Sequence, residues 1–159
     1  MKILRFIPIM IALLCISCQE EEEDDGDKFS DWDGTWKTDK DRPPKNLKGT
    51  TWKLTGILDT QDDVLIKPDP KYCEACYTIK FQTRSHALGI VSWFAISFDL
   101  TNFRLHDGYD DFGYPFIDDN ADIFRQCLIA ISSYSLTPDE LKILSEKHKK
   151  CLIFKLIEP

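Results

Sequence analysis

The reactive side chains of this chain are few, and their spacing excludes most of the familiar chemistries. Three histidines, His86, His106 and His148, stand at no helical metal-ligand spacing, and there is no HExxH helix, glycine-flanked serine elbow or phosphate loop. His148 falls in a lysine-rich turn that suits a solvated ring, and His106 adjoins Asp107 as a surface pair would. Asp118-x-Asn120-x-Asp122 copies the first half of a calcium loop, but Ile123 stands where that loop needs Gly and Ile129 where it needs a bidentate Glu. Asn120 as a helix cap, with acids around the helix's positive end, accounts for the same residues. Calcium held by Asp107, Asp110 and Asp111 stays open, as does carboxylate-pair attack on a glycan, which needs a set separation across a cleft. The reading that results is of a non-enzymatic chain with no catalytic residue, no metal and no cofactor.

Four cysteines fall in the stretch that should fold: Cys73, Cys76, Cys127 and Cys151. A zinc site wants two close pairs, and only Cys73-Glu74-Ala75-Cys76 is close. A redox CxxC should open a helix, whereas this one precedes an apparent strand. A Cys73–Cys76 disulfide is the expectation, because a turn can bring two α-carbons to the roughly 5.5 Å that such a bond prefers. Cys127 and Cys151 then read as free, buried thiols acting as small hydrophobes. Four aromatics in the Asp- and Gly-rich loop 107–119, namely Tyr109, Phe112, Tyr114 and Phe116, are the candidate ligand contacts, since loops at a barrel mouth commonly bind. Plugging of the barrel end by two of them is the alternative.

The elements that must position these residues are mostly strands. Trp52 and Leu54 alternate with Lys53 and Thr55 within Thr50 to Leu58, the period-2 mark of a half-buried strand. Further strands are expected at 64–66, 77–81, 86–90 and 94–100, with a weaker one at 103–105. Ile123, Phe124, Cys127, Leu128 and Ile131 then follow helical spacing after Asn120. Strands at 134–136, 141–144 and 150–157 close the chain, the last two joined by a turn at 146–149. About eight strands and one late helix predict a mainly β fold, a small antiparallel barrel or strongly bent sheet.

The chain of 159 residues and 18.5 kDa suits one domain with a leader and a linker. Its net charge of −7 argues against an electrostatic nucleic-acid partner. Seven of the acids fall within residues 20–27, leaving twenty acids against eighteen bases from Lys28 onward. A block of like charge repels itself and reads as an extended tether. The polar stretch Lys28 to Asn46 carries Phe29, Trp32 and Trp36 and ends near the stiff Pro43-Pro44 pair. Docking of these tryptophans on the domain is favoured over an exposed aromatic patch. The folded domain is expected at 47–159, after a tether and linker at 18–46.

Residues 1–17 have the form of a processing signal: Lys2 and Arg5, the apolar run Phe6 to Ile16, then small Ser17 before Cys18. Cleavage before Cys15 would put bulky Leu14 at the cut, so Cys18 is the better choice. Here the chain resembles a bacterial lipoprotein, with Leu14-Cys15-Ile16-Ser17-Cys18 as its lipobox. Cys15 stands where the family usually has Leu. Cys18-Gln19-Glu20-Glu21-Glu22-Glu23 resembles the export signal of Bacteroidota surface lipoproteins. That resemblance implies a diacylglycerol thioether and N-acyl chain on Cys18, an outer-membrane anchor, and exposure on the cell's outer face. Each buried CH₂ of such chains adds about 0.8 kcal/mol, so the anchor holds.

Leu47-x-Gly49-Thr50-x-Trp52-x-Leu54, Tyr77-x-Ile79-x-Phe81 and the stretch from Leu128 through Tyr134-x-Leu136, Leu141-x-Ile143 and Leu152-Ile153-Phe154 resemble the META/HslJ-like family over most of 47–157. The family's glycine- and asparagine-containing signature is replaced after Gly89 by Ile90-Val91-Ser92-Trp93-Phe94. The opening Gly-Thr-x-Trp is shared with lipocalin-like barrels. Neither resemblance implies one transferable chemistry or one functional residue.

Two functions remain in view. One is a surface-displayed binding module whose barrel-mouth loops take an apolar, glycan or protein ligand. The other is a structural or envelope-stress lipoprotein with no small ligand, and a glycan hydrolase is a weak third. An open, lined cavity would favour the first, and a core filled by Trp52, Phe81, Phe98 and Phe154 the second.

Overall fold

A computed structural model describes residues 32–68, 75–91, 94–106 and 119–158. Among them, ten strands form a single antiparallel sheet. They are β1 (Trp36–Lys37), β2 (Thr51–Asp59), β3 (Val64–Ile66), β4 (Thr78–Phe81), β5 (His86–Val91), β6 (Phe94–Asp99), β7 (Arg104–His106), β8 (Ser133–Leu136), β9 (Glu140–Ser145) and β10 (Lys150–Glu158). The helix α1 (Asp119–Ile129) lies late in the chain, between β7 and β8. The strand order is β1-β8-β9-β10-β2-β4-β5-β6-β7, with β3 paired beside β2. The expected mainly β fold with one late helix is what forms, as a strongly curled half-barrel rather than a closed ring.

The curl has a local cause in the longest pair. Opposite β10, Ile153 pairs with Gly56 and Phe154 with Leu54, so Thr55 is an extra residue with no partner of its own. Such a bulge bends the strand and raises its twist. It also changes which side chains face inward: Trp52 and Leu54 are buried before it and Ile57 after it, a switch from even to odd numbering. A second shift lies between Leu156 and Glu158, leaving Ile157 about half exposed. Lys150 at the start of β10 forms an ion pair with Asp59 across the same sheet pair.

Among the described residues, side chains of the sheet and of α1 pack the concave side. α1 turns Ala121, Phe124, Cys127 and Leu128 inward, and all are buried. Phe124 sits between Tyr77 and Phe154, ring centroids 5.6 and 5.9 Å away in edge-on arrangements that aromatic quadrupoles favour. The helix comes close to the sheet at Gly89, where an added Cβ would lie 2.8 Å from a Leu128 methyl. Inward residues alternate along β5 (Ala87, Gly89, Val91) and β6 (Ile96, Phe98), as period 2 requires. Trp52, Phe81, Phe98 and Phe154 are all completely buried. Phe103, just before β7, meets Tyr134 of β8 edge-on at 6.4 Å, so far-apart strands approach across the hollow.

Three details differ from expectation. The strand expected from Tyr77 begins at Thr78, because Tyr77 takes a left-handed backbone (φ 58°) that no strand residue adopts. The helix already includes Asp119, which puts Asn120 inside its first turn rather than at its cap. The packed body also takes in residues 32–46, read from sequence as linker: β1 pairs with β8, and Trp32 is buried against Trp52 at 5.8 Å. Docking of the tryptophans thus holds for Trp32, whereas Trp36 is half exposed.

Candidate functional site

The site residues named from sequence are spread over regions that the structure treats unequally. Cys18, Cys73 and the loop aromatics Tyr109, Phe112, Tyr114 and Phe116 lie outside the described residues, as do Asp107, Asp110, Asp111 and Asp118. Cys76 is disulfide-bonded and buried, while Cys127 and Cys151 are free and buried. Burial pushes the Cys127 thiol up to about 12 and that of Cys151 to about 11, far from the thiolate range in which cysteine reacts. Asp122 accepts hydrogen bonds from Gln126 Nε2 (2.6 Å) and Arg125 Nη2 (3.4 Å), an ordinary use of helical i,i+3 and i,i+4 neighbours. His86 Nε2 pairs with Ser97 Oγ at 3.0 Å. No group of three or more His, Cys, Asp or Glu among the described residues could hold a metal ion.

Two outward-facing depressions stand out among the described residues. The first is an apolar groove of about 500 Å³ on the convex face. Leu144, Cys151 and Leu58 stand side by side across β9, β10 and β2, and Trp36 and Ile153 flank them. Lys142 and Glu146 form its polar rim.

The second depression is a polar cleft of about 420 Å³, built where residues 32–47 cross β8 as a strap. Hydrogen bonds to the sheet fix the strap's first part: Gly34 N–H donates to the Leu136 carbonyl (2.8 Å), and Ser135 Oγ donates to the Gly34 carbonyl (2.7 Å). Gly34 has a φ of +74°, and a Cβ there would press on Thr137 at 3.1 Å. The next turn is held by Asp41, whose Oδ2 accepts from Thr38 N (2.6 Å) and Thr38 Oγ1 (3.0 Å). Pro43 then offers its carbonyl to the guanidinium of Arg84, which donates from both Nε and Nη2. Trp32 Nε1 donates to Asn46 Oδ1 at 2.9 Å, tying the two ends of the strap together.

Lys37, Arg42, Lys45 and Arg84 bring four cations to this cleft, and Asp33 and Asp41 bring two carboxylates. Asp33 is engaged by Thr35 and by Lys37 at 3.5 Å, and the Thr35 hydroxyl and amide hold its carboxyl below the usual range. The Thr38 amide and hydroxyl do the same for Asp41. Tyr134 and Leu136 of β8 complete the lining. Tyr134 is 1% exposed, and its hydroxyl has no hydrogen-bond partner. Burial, reinforced by the Asp41 charge and opposed by Arg84, raises that phenol to about 12. It is therefore a neutral donor at any physiological pH. A buried hydroxyl left unpaired costs about 1–3 kcal/mol, so its place on the cleft demands a reason.

None of these cleft residues was singled out from sequence as a binding candidate. Their only signal was the presence of tryptophans in a stretch otherwise composed like a spacer. No protein-family model, curated protein or solved structure matches the chain.

Proposed function

We propose that the chain is an outer-membrane lipoprotein, anchored through Cys18 and exposed on the cell surface. In this reading its META/HslJ-like β domain is a non-enzymatic interaction module that meets a protein or glycan partner through its outer surfaces. The anchor rests on the leader, on Ser17 ahead of Cys18, and on the acids that follow. The mode of contact rests on one observation, the exposed indole of Trp36 beside an apolar groove on the outer face, while the described part of the hollow is filled by α1 and by Trp52, Phe81, Phe98 and Phe154. Among the described residues the hollow offers no open space for a lipocalin-like apolar ligand, which favours contact on the outside.

The same filled core favours the second reading, a structural or envelope-stress lipoprotein built into a larger assembly. Cross-linking on intact cells separates them. A fixed stoichiometric neighbour present without added ligand supports the structural reading, and capture of a soluble glycan or protein by the purified chain supports the binding one. Mass spectrometry of the membrane-extracted N-terminus tests the anchor. A diacylated Cys18 is expected, and an intact Met1 or unmodified Cys18 overturns it.

A further inference from the structure

The cleft beneath the strap has the makings of a polar binding site independent of any lipid anchor. We propose that it binds an oxyanion, a carboxylate or phosphate, carried by a ligand of about monosaccharide size, with Tyr134 as the donor at its floor and Arg42 and Lys45 at its rim. Three observations converge. Tyr134 is buried beneath the strap with its hydroxyl unpartnered, on a surface that four cations and two carboxylates share. Both carboxylates are already engaged within the strap, Asp33 by Thr35 and Lys37 and Asp41 by Thr38. Arg42 and Lys45 are exposed and have no acidic partner among the described residues, so the cleft carries a surplus of positive charge.

The chemistry of the floor selects the charge of the ligand. A phenol that stays protonated through the physiological range keeps its O–H to donate, and an anionic acceptor gives the shorter, stronger form of that bond. Arg84, anchored through the Pro43 carbonyl, fixes one positive charge at the wall without having to be ordered on binding. The volume of about 420 Å³ falls in the range of small-ligand pockets.

Isothermal titration of the full chain in detergent, with inorganic phosphate, glucuronate and neutral glucose as the probes, tests this. At least one of the anions should bind with 1:1 stoichiometry and weaken as salt rises, and glucose should not bind. Phosphate alone points to a phosphate ester, glucuronate alone to an acidic sugar, and both to recognition of the oxyanion itself. Tyr134→Phe keeps the packed ring and should lower affinity about tenfold; its thermal stability without ligand should equal or exceed that of the parent. The exposed pair Arg42→Glu with Lys45→Glu should lower affinity at least tenfold while leaving the fold intact. Binding of neither anion, or equal binding of glucose, overturns the proposal. So does a loss confined to the charge-reversal variant, which would mark a diffuse cationic rim, or one confined to Tyr134→Phe.

Discussion

Replacing Phe124 by alanine should damage this protein more than any other single change to the helix. The ring is completely buried, held between Tyr77 and Phe154, and walled by strands that hydrogen bonds keep in place. Such walls relax little, so removal leaves a cavity, and Phe→Ala in that setting costs about 3–5 kcal/mol. Loss of two edge-on ring contacts, each worth about 0.5–1.5 kcal/mol beyond area, puts the expected value in the upper part of that range. Against a typical total of about 5–15 kcal/mol, this could unfold the chain, so Phe124→Leu, which fills much of the space, should be measured beside it. Urea unfolding followed by tryptophan fluorescence should show the midpoint fall by about 2 M for the alanine variant and by less than half as much for leucine. If the alanine variant folds, the new apolar cavity should take up benzene, which the parent should not. A loss below about 1 kcal/mol, or benzene uptake by the parent, would refute the filled hollow.

Other consequences follow from single contacts. Trp32→Ala should free the strap, costing about 3 kcal/mol and opening residues 33–46 to proteases; a strap as resistant as the parent's would contradict its role as the tie to Asn46 and Trp52. Gly89→Val should cost about 1–3 kcal/mol by pushing α1 off β5, and part of this should be recovered when Leu128→Ala is added, read by a double-mutant cycle. High pH should destabilise the protein. Tyr134 and Cys127 are raised to about 12 and Cys151 to about 11, so above pH 9 the unfolded chain gives up protons that the folded chain keeps. Stability is thus full below about pH 9 and declines toward pH 12, and Cys127→Ala with Cys151→Ala should make the decline shallower. A urea midpoint unchanged from pH 8 to 10.5 would rule this out.

Much of the strand pattern was open to reading because each strand buries one face, and alternation records that directly. β3 and the closing hairpin fall where Val64-Leu65-Ile66 and the turn around Glu146 to Lys149 place them. What alternation could not record was a change of phase. The bulge at Thr55 exists only relative to β10, so nothing in Thr51–Asp59 alone announces that Ile57 rather than Gly56 faces inward. Tyr77 is similar: its left-handed backbone is held by its amide bond to Ile90 and by the Leu54 amide on its carbonyl, both long-range partners. The strap was hidden by composition. Asp, Lys, Thr and Pro look like a spacer, yet here they make turns in a segment whose backbone is bonded to β8. Trp32 and Trp36 differ by four positions and have opposite fates, one sealed by Asn46 and the other left on the surface. The cleft escaped notice for a related reason: residues 33–45, 84 and 134 meet only in three dimensions.

The proposed function depends first on where the protein stands. Protease treatment of intact cells is the direct measurement, comparing the parent with a variant carrying Glu20→Ala, Glu21→Ala, Glu22→Ala and Glu23→Ala. The parent should be cut from the surface, and the variant should keep its acylated Cys18 while becoming protected from protease. A parent that resists cleavage until the envelope is broken, or a variant shaved as readily as the parent, would contradict display on the outer face.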